Sequence, residues 1–352
     1  MLGVRGSDLL AVRLPPSRRW LEVLDEVWAA GAAALPIDHR LPPAEVGRLV
    51  ARARPTAMLD DDGVSRLAEG APVDVGVRLV MATSGTSGEP KLAELTQDAL
   101  SAALDASAAR IGATPGSRWL CCIPVAHMGG MLVLLRGVVQ GAEVEVLPGF
   151  DVEGFAAASR VGTRFASLVP TALRRLLDAG VDLTGYEAIL IGGSRIDARL
   201  LERAREVGAR IHRTYGMTET CGGCAYDGVP LDGTEVRIEA EAADKASGRI
   251  LLRGPSLMAG YRDDAEATKE AFDPDGWLRT RDAGSFEDGV LAVHGRLDDV
   301  IVTGGEKVWP GSVEDAIREL TSVADVVVTG RPDEEWGEIG RASCRERVCS
   351  VV

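Results

Sequence analysis

Residues 77–91, VRLVMATSGTSGEPK, join a short apolar run to a loop of small and hydroxyl-bearing residues that ends in a lysine. VRLVMAT has the length and apolar continuity of a buried strand. From Thr83 onward the chain offers hydroxyls at Thr83, Ser84, Thr86 and Ser87, glycines at Gly85 and Gly88, and an ammonium at Lys91. Glycine lets backbone N–H groups approach an anion with no Cβ in the way, hydroxyls add donors, and lysine neutralises charge from a flexible stem. A strand running out into such a loop has the composition of a triphosphate clamp. It is not a loop of the Walker type, which needs four residues between its glycines and a hydroxyl straight after the lysine. Here only Thr86 and Ser87 separate Gly85 from Gly88, and Leu92 follows Lys91. Alone, these residues also fit an ordinary Gly/Ser turn; the rest of the chain decides.

Outward from this loop, AAALPI (32–37), WLCCIPV (119–125), AEVEVLP (142–148), RFASLVP (164–170) and YEAILIGG (186–193) read as further buried strands. Between them PPAEVGRLVARA (42–53), TQDALSAALDASAARI (96–111), PTALRRLLDAG (170–180) and DARLLERAREVGA (197–209) carry apolar residues at helical spacing. Alternation of this kind predicts an α/β fold around largely parallel sheet. From about residue 228 the texture changes to short strand-like pieces, EVRIEAE, GRILLRG, GWLRTRDAG and GVLAVHGR, broken by glycines and acidic turns, which predicts a small antiparallel β subdomain. LDDVIVTGGEKVWPGSVEDAIREL and VADVVVTGRPDEEWGE then suggest strand, helix and strand in a separate α+β lobe, and the last run, GRASCRERVCSVV, shows neither strand nor helix period.

The chain's 352 residues, 46% of them hydrophobic, suffice for two or three packed domains. A net charge of −14 argues against electrostatic capture of nucleic acid or anionic lipid, so a polyanionic ligand needs local donors. The first twenty residues lack the apolar core of a secretory leader, and no run reaches the ~18 apolar residues of a membrane span. A cytoplasmic protein with no membrane insertion is the expectation. Six cysteines are too sparse for a disulfide scaffold. Cys221 and Cys224 form C-G-G-C, but no second ligand pair accompanies them, so core thiols are expected rather than a zinc or redox site.

Four segments in order, TSGTSGEPK (83–91), RTYGMTET (213–220), GWLRTRDAG (276–284) and GRLDDVIVTGGEKVWP (295–310), resemble the signature motifs of the adenylate-forming (AMP-binding) acyl-CoA synthetase superfamily. The resemblance implies a large N-terminal adenylation domain over 1–297, with its β subdomain at about 228–297, then a small C-terminal lobe over 298–339. It also implies ATP, magnesium and coenzyme A as reactants and cofactor, and a small-molecule carboxylic acid as substrate; a homo-oligomer is compatible with it.

By the same resemblance Thr83, Ser84, Gly85, Thr86, Ser87, Gly88 and Lys91 form the phosphate loop, Thr218 contacts the α-phosphate and Glu219 holds magnesium. One carboxylate suffices for magnesium, which takes hard oxygens and keeps waters; Glu219 as a mere helix cap is the alternative. Tyr215 packs on adenine, and Gly192, Gly193 and Ser194 form the purine-side loop. Asp282 accepts the ribose hydroxyls and Arg296 is a second nucleotide contact, Asp298 is the hinge, and Gly304 and Gly305 line the pantetheine tunnel unless they form a simple turn. His127 stands beside the acyl pocket and, with Lys91, Thr218 and Glu219, joins the catalytic set; Ser167, Thr171 and Arg195 are further pocket candidates. His39, His212 and His294 lie in no comparable constellation.

The run RTYGMTETCGGCAYDGVPLDG (213–233) is most similar to o-succinylbenzoate–CoA ligases of menaquinone biosynthesis. Two other readings stay open: another acyl- or aryl-CoA ligase or a carrier-loading adenylation domain, and a nucleotide-binding remnant without catalysis. The family continues to a Gly-Lys lysine, whereas here GRASCRERVCSVV breaks away after residue 339, as a frameshift or artificial junction would produce. Loss of such a cation costs ~10²–10³ in rate, so the chain is expected to bind ATP and adenylate poorly.

Overall fold

The computed structural model describes residues 2–83, 90–241, 244–320 and 322–346. They fall into two compact units, Met1–Thr234 with Gly254–Glu270, and Glu235–Arg253 with Ala271–Val352. The fold is mixed α/β with four sheets.

The first unit holds two seven-stranded sheets. One runs Gly260–Tyr261, Lys91–Thr96, Val77–Thr83, Ala33–Pro36, Leu9–Val12, Ala57–Asp60 and Gly63–Arg66 from edge to edge. Its central four strands are parallel, and antiparallel strands close both edges. The other runs Val229–Pro230, Gly222–Tyr226, Ile211–Met217, Ala188–Ile191, Phe165–Leu168, Arg118–Cys121 and Glu143–Val146, with five parallel strands and two antiparallel ones. Parallel strands are covered on both faces and so read as continuous apolar runs. Ala33–Pro36 and Ala188–Ile191 are buried at every position. AEVEVLP departs from that expectation: Glu143–Val146 is an edge strand, exposed to half-buried, because it has only one neighbour.

Helices begin where the sequence supplies caps. The Thr96, Asp151 and Asp197 side chains accept from the N–H groups of Ala99 (3.2 Å), Gly154 (2.6 Å) and Leu200 (2.7 Å), opening Gln97–Ile111, Val152–Arg160 and Ala198–Glu206. Pro43 and Pro170 open Pro43–Ala53 and Pro170–Asp178 as first-turn prolines. In the core of the second sheet Phe155 stacks on Tyr186 at 4.6 Å, and the Tyr186 hydroxyl donates to the Phe155 carbonyl at 2.9 Å. No helix of the described residues is long and apolar enough to cross a membrane.

The second unit contains an antiparallel sheet of Glu235–Glu241, Asp244–Arg253, Leu278–Glu287 and Val290–Arg296. A further sheet runs Glu306–Val308, Ile301–Thr303, Gly337–Glu346 and Val323–Asp333, with helix Pro310–Arg318 on it. The absence of strand period after residue 339 does not predict what forms there. Gly337–Glu346 is a strand paired along Val323–Asp333, with Gly330 opposite Gly340 and Val326 opposite Cys344. Its residues are almost all exposed, and a strand with no covered face carries no alternation to detect.

Candidate functional site

Thr83 ends one strand and Lys91 begins its antiparallel neighbour, and the two are register partners. The sheet therefore fixes both ends of the loop; Ser84, Gly85, Thr86, Ser87 and Gly88 lie outside the described residues. The Lys91 ammonium stands 4.8 Å over the centroid of the Tyr261 ring. Tyr261 reaches it on the edge strand Gly260–Tyr261, which pairs with Lys91–Thr96 with Tyr261 opposite Ala93. The Tyr261 hydroxyl donates to Glu219 Oε1 at 2.8 Å. Lys91 and Glu219 are thus gathered by one tyrosine that the motifs did not single out.

Glu219 is held by local chemistry. It lies in the 3₁₀ turn Thr218–Thr220, at the end of strand Ile211–Met217. The fully buried Thr220 hydroxyl accepts the Met217 N–H at 2.9 Å and donates to the Gly222 carbonyl at 2.6 Å, locking the turn. The Glu219 carbonyl accepts the Met258 N–H at 2.9 Å. With Oε1 engaged by Tyr261, Glu219 Oε2 has no partner among the described residues. No cluster of three or more His, Cys, Asp or Glu able to cage a metal occurs among those residues. A single carboxylate suits magnesium, which fills its sphere with further oxygens and water, and does not suit a zinc cage.

Tyr215 sits on the same strand, opposite Ala225, just before an irregularity at Gly216. A Cβ at Gly216 would overlap the Gly222 carbonyl, so only glycine lets the two strands close there. Gly192 is constrained in the same way, since a Cβ would strike the Thr214 hydroxyl, which itself donates to the Ile191 carbonyl at 3.2 Å. Gly193 (φ +81°), Ser194 and Arg195 follow it on an exposed loop.

Of the four proposed acyl-pocket residues, one lines a described cavity. Thr171 lines a cavity of about 300 Å³ at the carboxyl ends of strands from both large sheets, with Asp38, Arg40, Ile123, Phe150 and Arg175. His127, Ser167 and Arg195 are not part of its lining. His127 is exposed and caps helix Met128–Gln140 through its backbone, its carbonyl accepting from Met131 at 3.0 Å. Ser167 lies in strand Phe165–Leu168. His39 also lines the cavity, beside Asp38 at 3.7 Å.

In the second unit Asp282 and Arg296 are register partners across two strands, with Arg296 Nε 3.5 Å from Asp282 Oδ1. Asp282 is only 7% exposed. Asp298 pairs with Arg281 at 3.4 Å in the 3₁₀ turn Leu297–Asp299. Gly304 and Gly305 form the two-residue turn between strands Ile301–Thr303 and Glu306–Val308, both at positive φ (+57° and +86°), as a tight hairpin requires. That gives them a local structural reason.

Cys221 and Cys224 are buried thiols outside any disulfide, and burial pushes the Cys221 thiol up, which suits core thiols rather than metal ligands.

The AMP-binding enzyme family model matches residues 76–262, from the strand before the loop to the tyrosine strand. A probable 2-succinylbenzoate–CoA ligase from Mycobacterium tuberculosis is 41% identical over 281 residues, covering 76% of this chain and 71% of that protein. Among solved structures, the o-succinylbenzoate CoA synthetase MenE from Bacillus subtilis, in complex with the acyl-adenylate intermediate OSB-AMP, superposes with a TM-score of 0.87 at 26% identity. That match covers 98% of this chain and 79% of the other. The same enzyme in complex with ATP and magnesium ion gives 0.86 at 26% identity, over 97% and 80% of the two chains. With strands Val77–Thr83 and Lys91–Thr96, the Thr218–Thr220 turn and the tyrosine strand all inside the matched segment, the chain belongs to the AMP-binding enzyme family.

Proposed function

We propose that this chain is an AMP-forming acid–CoA ligase acting on o-succinylbenzoate. The observation that supports it most is the convergence of Lys91 and Glu219 on Tyr261 at the mouth of the phosphate-loop hairpin. The 41% identity to a 2-succinylbenzoate–CoA ligase, and the likeness to a synthetase bound to OSB-AMP, support the choice of acid. Arg175 at the 300 Å³ cavity suits an anionic substrate, since guanidinium binds carboxylate in two-pronged fashion.

In the first step a carboxylate oxygen of the acid attacks the α-phosphorus of ATP in line. The new O–P bond forms as the bond to the β-phosphate oxygen breaks, and pyrophosphate leaves with its electron pair. Lys91 and the loop amides neutralise the leaving phosphates, Thr218 holds the α-phosphate, and Tyr215 with Gly192–Ser194 positions the purine. Glu219 would hold magnesium, which when bound neutralises charge on the phosphate oxygens. Asp282 accepts the ribose hydroxyls, with Arg296 beside it. In the second step the CoA sulfur attacks the acyl carbonyl, AMP departs, and a thioester remains. Asp298 is the proposed hinge between steps, and Gly304 with Gly305 the proposed approach for pantetheine. His127, Ser167 and Arg195 stay proposals for the acyl end. Buried thiols outside any disulfide at Cys121, Cys122, Cys221 and Cys224 suit a reducing compartment such as the cytoplasm.

Incubation with ATP, magnesium, CoA and o-succinylbenzoate tests the reading by mass spectrometry. AMP and the matching CoA thioester are expected in equal amounts. Transfer to a carrier protein with none to CoA would favour a carrier-loading domain instead.

A further inference from the structure

Tyr261 touches two groups of opposite charge that the proposed reaction uses separately. Its ring carries the Lys91 ammonium at 4.8 Å, and its hydroxyl donates to Glu219 Oε1 at 2.8 Å. A direct Lys91–Glu219 ion pair would spend the cation needed by phosphate and the anion needed by a metal on one another. The ring instead attracts the ammonium through its π face without neutralising it, and the hydroxyl orients the carboxylate without removing its charge.

The tyrosine is firmly set. Arg262, the next residue, is 4% exposed and donates to the Glu94 carboxylate (3.0 Å) and to the carbonyls of Ala53 (2.7 Å), Ala71 (2.7 Å) and Pro72 (3.2 Å). On the other side the Tyr261 N–H donates to the Thr268 hydroxyl at 2.8 Å, and Gly260 takes φ +159° where a Cβ would press on Thr268. The backbone on both flanks therefore leaves the phenol little freedom to wander.

We propose that Tyr261 is a positioning residue for the adenylation step, one that holds the Glu219 carboxylate for magnesium while keeping Lys91 apart from it and available to phosphate. This rests on the reading of Glu219 as the magnesium carboxylate. Tyr261→Phe keeps the ring and removes only the hydroxyl. Removing a charge-assisted hydrogen bond is expected to raise the magnesium needed for half-saturation of the protein–ATP complex about tenfold, leaving ATP binding in EDTA unchanged.

The test is calorimetric titration of magnesium into the protein–ATP complex for the unsubstituted chain, Tyr261→Phe, Glu219→Gln and the double variant, with the thermal midpoint of each. A tenfold shift in Tyr261→Phe that disappears in the Glu219→Gln background supports the proposal, since a hydroxyl acting through Glu219 has nothing to act on once the carboxylate is gone. An unshifted Tyr261→Phe titration beside a shifted Glu219→Gln overturns this inference alone. An unshifted Glu219→Gln overturns the magnesium reading beneath it. If Tyr261→Phe does not fold, Glu219→Asp, whose shorter carboxylate cannot keep the 2.8 Å contact, replaces it; magnesium titration like that of the unsubstituted chain would then overturn the proposal.

Discussion

Arg262 and Glu94 show how much of the site's rigidity rests on single side chains. Their 3.0 Å pair is 4% and 14% exposed, and removing one partner strands the other charge. Arg262→Ala is expected to cost about 3–5 kcal/mol, read as a lower denaturant midpoint at unchanged slope. Asp38, on the cavity wall, is held down to about 2, chiefly by its hydrogen bond to Arg40. A carboxyl depressed in the folded state stabilises above its unfolded value and loses that contribution as pH falls, here between about 4 and about 2. Arg40→Ala should flatten acid unfolding in that window, by under about 1 kcal/mol because Arg40 is well exposed. Burial pushes Cys121 up to about 12, so among the described cysteines alkylation at pH 8 should map first to the exposed Cys344. Lys91 and Glu219 stand out in the sequence through their motifs, and the structure brings both against Tyr261. Tyr261 does not stand out, because its partner Glu219 is 42 residues away and neither GY nor its flanks have a charge pattern that points across that gap.

Elements with two covered faces were the easiest to read. Ala33–Pro36 and Ala188–Ile191 appear in the sequence as unbroken apolar runs because they are buried at every position. Edge strands escaped: Gly63–Arg66 is exposed at every position, and Gly260–Tyr261 is too short for any period. Helix Met128–Gln140 also escaped, since MGGMLVLLRGVVQ is apolar almost all round and shows no stripe. At this scale the tightest constraint is the closure of Ile211–Met217 on Gly222–Tyr226. Gly216→Ala would drive a methyl into the Gly222 carbonyl, prise the pair apart next to Glu219, and cost about 1–3 kcal/mol in thermal unfolding together with magnesium affinity.

Across the whole molecule, alternation of apolar runs and amphipathic stretches gave the α/β class, and the ordered motifs gave the family, because both are written in local sequence. What assembles the candidate site is long-range: a two-residue strand from near residue 260 laid against Lys91–Thr96, and a turn near 219 bonded to it. The central claim is that this assembly activates one acid by adenylation, and pyrophosphate exchange into ATP measures that step alone. Exchange that is slow in absolute rate but dependent on magnesium and on o-succinylbenzoate, well above that with benzoate, octanoate or amino acids, and lowered a further ~10²–10³-fold by Lys91→Ala, is the predicted result. Magnesium-dependent exchange driven equally by the other acids, or none with any acid while ATP still binds, would contradict it.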